Sequence, residues 1–171
     1  MQSARLHFKI YGYIIMFSHD KTLEEAINFS RFDKDSPFAT ISNHPFLLEE
    51  VQWKTTEHYY QACKFKGLAY VEKIILAEDG QQAYQLGNRW LKRKNSDWKA
   101  KRQLYMTRAL FRKVKEYPEI AEALLETGDA LLVETSQYDY FWGLGRDQRG
   151  ENKLGKVWMD IRKKLLSETS T

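Results

Sequence analysis

The chain has 171 residues, with 27 lysines and arginines against 23 aspartates and glutamates, and is 43% hydrophobic and 14% aromatic. That length bounds a single domain, and the apolar fraction is ample for one packed core, which excludes a long disordered half. The net charge of +4 and a pI near 9.0 suit an anionic ligand such as a nucleotide or nucleic acid without requiring one, while a single cysteine, Cys63, excludes an intramolecular disulfide and fits a reducing, cytoplasmic setting.

Residues 6–17, LHFKIYGYIIMF, are rich in Ile, Tyr and Phe and partly alternate, which predicts a strand. The apolar run inside it is interrupted by Gly12 and falls short of the ~20 residues that span a bilayer. No small-residue cleavage site follows it, and Met16 offers a second start site. Residues 21–32 read two ways, TLEEA as a short helix and INFSRF as an extended segment. Pro37, Pro45 and the Ser and Asn around them mark an irregular surface loop, after which residues 46–51 return to an apolar extended run.

Residues 55–66, TTEHYYQACKFK, predict the central helix. At helical spacing Glu57, Gln61 and Lys64 share one face, with His58, Ala62 and Phe65 on the adjoining stripe. The spacing alone fits either a catalytic face or the polar side of a surface helix. Cys63, among aromatics and without a positioned base, reads as an inert thiol.

Short helices follow over residues 69–77 and 81–86, the second closed by Gly87. Asn95 or Ser96 then caps a long helix to about Lys115, with Ala100, Leu104, Phe111 and Val114 on its apolar stripe and Met106 and Leu110 beside it. Its other faces carry Lys92, Arg93, Lys94, Lys99, Lys101, Arg102, Arg108, Arg112, Lys113 and Lys115 against Asp97 alone among acids. Such a face either follows a phosphate backbone or is simply solvated.

Residues 118–127 form a further helix ended by Gly128, and residues 130–135 a short buried strand. The segment SQYDYFWGLGRDQRGEN concentrates Tyr138, Asp139, Tyr140, Phe141 and Trp142 against Gly143, Gly145 and Gly150, with Arg146 and Arg149 among them. Glycines admit a ligand to the backbone, aromatics stack on bases or sugars, and arginines pair with phosphates, so a ligand loop is expected over a loop that caps the core. Asn152 caps the last helix, whose core stripe is Leu154, Trp158, Ile161 and Leu165. The GLGRDQRG run lacks GxxxxGK[ST] and a dinucleotide-type βαβ setting, which rejects an NTPase or Rossmann reading. Four scattered histidines supply no metal-ligand spacing.

Taken together, ISNHPF (41–46), W-x-T-x-EHYYQACKF (53–65), ALLVETSxxDxxWGLG (130–145) and GENKLGKVWMDIR (150–162) resemble the NADAR superfamily, also called the YbiA-like family, over residues 28–166. The resemblance implies a single compact, helix-rich α+β domain with a few short strands, over residues 21–167 between an N-terminal extension and a short tail. It implies N-glycosidase activity on ribosyl substrates, with no cofactor or metal. The two substrate classes it implies are ADP-ribose attached to guanine in DNA or RNA, and phosphorylated ribosylamino intermediates of riboflavin biosynthesis.

Carried over by motif, the family's acid and lysine fall on Glu57 and Lys64, and its aromatic loop on Asp139, Trp142 and Gly143. Its Ser-Asn pair falls on Ser42 and Asn43, followed here by His44 where the family has an aromatic, and its last motif on Gly150, Asn152 and Gly155. Glu57 is expected on the sugar side, as electrostatic stabiliser or as the base that activates water. Lys64 is expected either to protonate the leaving base or, with a depressed pKa, to trap the opened sugar as a Schiff base. Asp139 is expected to hold ribose hydroxyls or orient the lysine. Tyr60, Gln61, Tyr140 and Trp142 are expected on the substrate, with Arg146 and Arg149 on its phosphates. A rival of another class is a non-catalytic ADP-ribose or nucleic-acid reader, which has no need of both Glu57 and Lys64.

Overall fold

A computed structural model describes residues 25–169; the strand expected over 6–17 lies outside them. The described residues form four short strands and six helices: β1 (Ile27–Phe29), β2 (Phe46–Leu48), β3 (Val51–Trp53), α1 (Thr56–Ala62), α2 (Leu68–Ile75), α3 (Gly80–Gly87), α4 (Trp98–Glu116), α5 (Pro118–Glu126), β4 (Leu132–Glu134) and α6 (Lys153–Thr169). This is the helix-rich α+β architecture expected. Within the ambiguous segment, residues 27–29 are extended because β1 finds a partner: it pairs in parallel with β4, Ile27 opposite Leu132 and Phe29 opposite Glu134; residues 21–24 lie outside the described residues.

The run 46–51 is not one extended segment. Glu49 and Glu50 both take positive φ, 54° and 63°, the pattern of a two-residue hairpin turn, and β2 folds back on β3 with Phe46 opposite Trp53.

Helix α1 is the shared wall of two apolar clusters. Tyr60 joins Trp98, Met106, Leu110, Trp142, Trp158 and others in the larger one. Tyr59 and Ala62 join Phe46, Trp53, Ile74 and Ala83 in the smaller. All seven residues of α1 are buried, so it has no solvent face. Its exposed first-turn amides are satisfied locally: Thr55 Oγ1 accepts from the His58 amide (3.3 Å), and the Glu57 amide donates to Thr40 O (2.9 Å).

Two expected caps are not used as caps. Helix α4 starts at Trp98 after Asp97, which makes no side-chain cap bond; Asn95 instead donates its side-chain amide to Cys63 O (3.1 Å) and its backbone amide to Lys64 O (2.8 Å). Asn152, at φ 48°, turns its side chain onto β4, accepting from the Glu134 amide (3.0 Å) and donating to Leu132 O (2.8 Å). The buried stripe of α4 is also rotated from the expected one: Met106, Ala109, Leu110 and Val114 are buried, whereas Leu104 is 54% exposed. That stripe also carries Lys113, fully buried, a charge that a sequence pattern places outside, whose Nζ donates to Pro37 O (2.7 Å), Ala39 O (3.1 Å) and Ser42 Oγ (2.7 Å).

The glycines of the aromatic loop are spent on packing rather than on admitting a ligand. A Cβ on Gly143 would meet Glu134 Oε2 at 2.2 Å and Glu134 O at 2.9 Å, and one on Gly150 would meet Gly143 O at 2.2 Å. Glu134 is itself committed, accepting from the Arg31 amide (3.2 Å) and the Ser136 amide (3.1 Å) and hydroxyl (2.7 Å). Gly143→Ala is therefore expected to cost about 1–3 kcal/mol through overpacking and to lower the melting temperature by several degrees in a thermal melt. An unchanged melt would show that the loop yields freely.

Candidate active site

The polar centre of the molecule is a buried carboxylate on α1. Glu57 is fully buried, and Arg31, in the loop after β1, donates from Nη2 to both of its oxygens (3.1 and 2.9 Å). Thr40 Oγ1 donates to Glu57 Oε2 (2.7 Å), and Gln61, one helical turn on, donates to Oε1. Burial opposes the charge on both partners. Their attraction and the hydrogen bonds outweigh it, so the Glu57 pKa is lowered from its ordinary 4.5 and that of Arg31 is raised. Arg31 also reaches outward from Nη1 to Asp139 Oδ2 (3.2 Å). Asp139 is fixed from its own loop, with Oδ1 accepting the amides of Phe141 (3.1 Å) and Trp142 (2.8 Å).

Above this ion-pair chain lies a cavity of about 160 Å³, lined by Arg31, Gln61, Lys64, Asp139 and the rings of Tyr60, Tyr84, Trp98, Phe141 and Trp142, with Asn88, Lys94 and Arg102 at its sides. Trp142 is buried and donates from its indole nitrogen to Tyr60 Oη (3.1 Å). Arg102 lies over the Phe141 ring, with Cζ 3.2 Å from the centroid.

Lys64 follows the last turn of α1 and is buried. Its Nζ donates to Asn88 Oδ1 (2.9 Å) and Gly87 O (3.2 Å), and lies 5.5 Å from the Trp98 ring centroid and 5.6 Å from that of Tyr60. Burial, opposed by Glu57 and assisted by the Lys94 and Arg31 charges, lowers its pKa from 10.5 to about 7. A buried amine titrating near neutrality in a cleft is the kind of group that active sites use as nucleophile or proton carrier. Cys63 next to it is the opposite case: burial pushes its thiol up to about 12, as an inert side chain requires.

Of the residues singled out from the sequence, the fold brings Tyr60, Gln61, Lys64, Asp139 and Trp142 to one cavity. Glu57 sits behind its wall, with both oxygens taken. Ser42 is buried away from it as the acceptor of Lys113, and Asn43 points to solvent. Tyr140 is 46% exposed with its ring against Gly145, and Gly143 and Asn152 hold the loop to β4. Arg146 lines a separate depression beside Asn28 and Thr135, and Arg149 is an exposed side chain paired with Asp147 (3.1 Å). The residues missed by sequence reasoning are Arg31, Tyr84, Asn88 and Trp98. Arg31 stands in no motif, and only its burial and three charged contacts identify it.

The basic run is neutralised or buried at five of its ten cations, while Lys92, Arg93 and Lys94 lie ahead of α4 and stay exposed. Lys101 pairs with Asp97, Arg108 with Glu49, Arg112 with Glu116 and Lys115 with Glu168, while Lys113 is buried. Among the described residues no helix is long and apolar enough to cross a membrane, and no cluster of His, Cys, Asp and Glu is arranged to hold a metal ion.

A buried lysine just beyond α1 thus faces aromatic rings and an Arg-Asp-Glu chain in one cavity. The chain belongs to the NADAR domain family, whose model matches residues 16–166. An N-glycosidase of Nostoc punctiforme is 37% identical over 131 residues, covering 75% of this chain and 84% of that protein. The N-glycosidase YbiA of Escherichia coli strain K12 is 33% identical over 143 residues, covering 83% and 89% respectively. The NMR structure of E. coli YbiA superposes with a TM-score of 0.76 at 32% identity, over 85% of this chain and 88% of that one. A riboflavin biosynthesis protein of Vibrio vulnificus is 33% identical over 161 residues, 94% of this chain but 44% of that longer protein.

Proposed function

We propose that this NADAR-family N-glycosidase cleaves the bond between a ribosyl anomeric carbon and a base nitrogen with Lys64 as nucleophile, and that its substrate is ADP-ribose carried on guanine in nucleic acid. The observation that carries the reading is the Lys64 amine. Near pH 7 a large fraction is neutral, and it faces a cavity walled by aromatic rings and Asp139.

The Lys64 nitrogen forms a bond to the anomeric carbon as that carbon's bond to the base breaks, and the base leaves with a proton given up by the newly formed ammonium. Transfer of the remaining N–H proton to the ring oxygen, as the bond from that oxygen to the anomeric carbon breaks, opens the sugar and leaves an imine on Lys64. Water then hydrolyses it to the free sugar and the original amine. Asp139, tied to Arg31 on one oxygen and to two loop amides on the other, accepts sugar hydroxyls and stabilises positive charge at the reacting carbon. Glu57 serves the site from behind, by fixing the Arg31 fork and the Gln61 amide. Trp98 and Tyr60 are the apolar faces that keep the amine desolvated. A reader domain gains nothing from a desolvated lysine.

The size of the cavity favours a base that stays outside. Its 160 Å³ is well below the roughly 300 Å³ of the smallest pockets that enclose a drug-sized ligand, which suits a ribose inserted from a polymer-borne base. Kinship with a riboflavin biosynthesis protein favours a second reading, a phosphorylated ribosylamino-pyrimidine. The two are separated by offering the purified protein an oligonucleotide bearing ADP-ribosylated guanine and, separately, the riboflavin-pathway ribosylamine, with chromatography of the free base. Release from the oligonucleotide at least about 10²-fold faster is expected, a gap of the size that positioned active-site groups contribute. Base from the ribosylamine alone would transfer the assignment to the second substrate.

A further inference from the structure

Four cations that folding leaves without an ion pair line one groove beside the cavity. A groove of about 430 Å³ runs along the end of α1 and the segment before α4, lined among others by Lys66, Tyr70, Lys92, Arg93, Lys94 and Ser96. Lys66, Lys92, Arg93 and Lys94 are all exposed, and none takes part in an ion pair among the described residues. No acid among the described residues lines the groove, and Asp97, next along the chain, is engaged by Lys101 (2.7 Å).

The groove is attached to the lysine of the cavity. Asn95 bonds the carbonyls of Cys63 and Lys64, so the cationic segment is stapled to the residue that carries the amine. Lys94 lines both the groove and the cavity, close enough for its charge to act on Lys64. Lys92 stacks on Tyr70, with Nζ 4.6 Å from the ring centroid, which holds its ammonium over the groove floor. Four like charges gathered without counter-charge repel one another, and an anion placed among them relieves that cost.

We infer that this groove is a phosphate-binding subsite continuous with the sugar cavity, built by Lys66, Lys92, Arg93 and Lys94. The inference rests on the N-glycosidase reading for its meaning but not for its test. Phosphate reaches the groove from one of two sources, the diphosphate of the substrate's own sugar or the backbone of a nucleic acid that carries it. Lys92 and Arg93 line the groove and not the cavity, so they are the positions to vary.

The test titrates inorganic diphosphate into the full chain while backbone amide NMR shifts are recorded, for wild type and for Lys92→Ala/Arg93→Ala. Saturable shifts centred on residues 66–70 and 92–96 in wild type, weakened at least about tenfold in the variant, are expected. Shifts elsewhere, no shifts, or equal binding by the variant would overturn the subsite. Kinetics then identify the source. A raised KM on both an ADP-ribosylated guanosine and an ADP-ribosylated oligonucleotide assigns the groove to the sugar's diphosphate. A raised KM on the oligonucleotide alone, with a salt slope reduced by roughly one per cation removed, assigns it to the nucleic-acid backbone. Unchanged KM on both, with unchanged salt slope, would overturn a role in substrate binding. If no substrate releases base while diphosphate binding still depends on Lys92 and Arg93, the subsite stands and the N-glycosidase substrate assignment falls.

Discussion

Borohydride added during turnover is expected to leave a stable sugar adduct on the wild-type chain and none on Lys64→Ala, with base release by the variant lower by roughly 10³-fold or more, the scale on which a covalent nucleophile contributes. The expectation follows from the position of the amine: it is buried between Trp98 and Tyr60, and its acceptors are a carbonyl and the Asn88 side chain rather than a carboxylate that would hold it protonated. Its pKa of about 7 sets the pH dependence. The reactive form is the deprotonated amine, so kcat/KM should climb about tenfold per pH unit below 7 and level off above it. An acid limb centred near 10, or an adduct that survives in Lys64→Ala, would remove Lys64 from the chemistry.

The same residue also makes a stability prediction, of the same sign but in a higher pH window. The folded pKa lies below the ordinary 10.5, so the unfolded chain binds more protons between about pH 7 and 10.5, and wild-type stability gains from this group as pH rises across that window. Lys64→Met should lose the adduct and also lose that slope, while melting no lower than wild type near neutrality. This separates a chemical loss from an unfolded variant.

The second large effect is expected at Arg31. Arg31→Met leaves the Glu57 carboxylate buried with Thr40 and Gln61 as its only donors, and removing one partner of a buried pair costs about 3–5 kcal/mol. For a chain of this size that corresponds to a fall in melting temperature of roughly 10 °C. The double variant Arg31→Met/Glu57→Gln should recover much of the loss, because the uncompensated charge is gone. A double variant as unstable as the sum of the two singles would show that the pair is not coupled.

The linkage has a definite sign here too. In wild type the folded pKa of Glu57 is below 4.5, so the pair's stabilisation is present above that pH and lost as pH falls through the folded value. Glu57→Gln should therefore show a flatter melting profile on the acid side. An identical acid limb in both proteins would assign acid lability to other carboxylates.

Much of the molecule was legible in the residues. The six helices lie where periodicity and the punctuation of Gly67, Gly87 and Gly128 put them, since apolar spacing and helix ends are local properties. Lys64 and Asp139 came from motifs whose order along the chain is unusual enough to identify a family. What was misread depended on partners distant in sequence. Glycines beside Trp142 looked like openings for a ligand because flexibility is visible in a sequence and the carboxylate of Glu134 packed against Gly143 is not. Arg108 and Lys115 read as unpaired cations of a basic helix because Glu49 and Glu168, which pair with them, are far from it along the chain.

By itself, then, the sequence determined the order of elements, the inert character of Cys63 and the presence of an acid and a lysine in one short segment, whose helix ends at Ala62 rather than running on to Lys66. Only the tertiary structure decided what those two groups are. Burial of α1 between two cores turned Glu57 inward onto Arg31, a residue in no motif, and left Lys64 at the cavity with too little solvent and too few counter-charges to stay fully protonated. Desolvation and pairing set the chemistry of a charged side chain, and both are properties of what the fold packs around it.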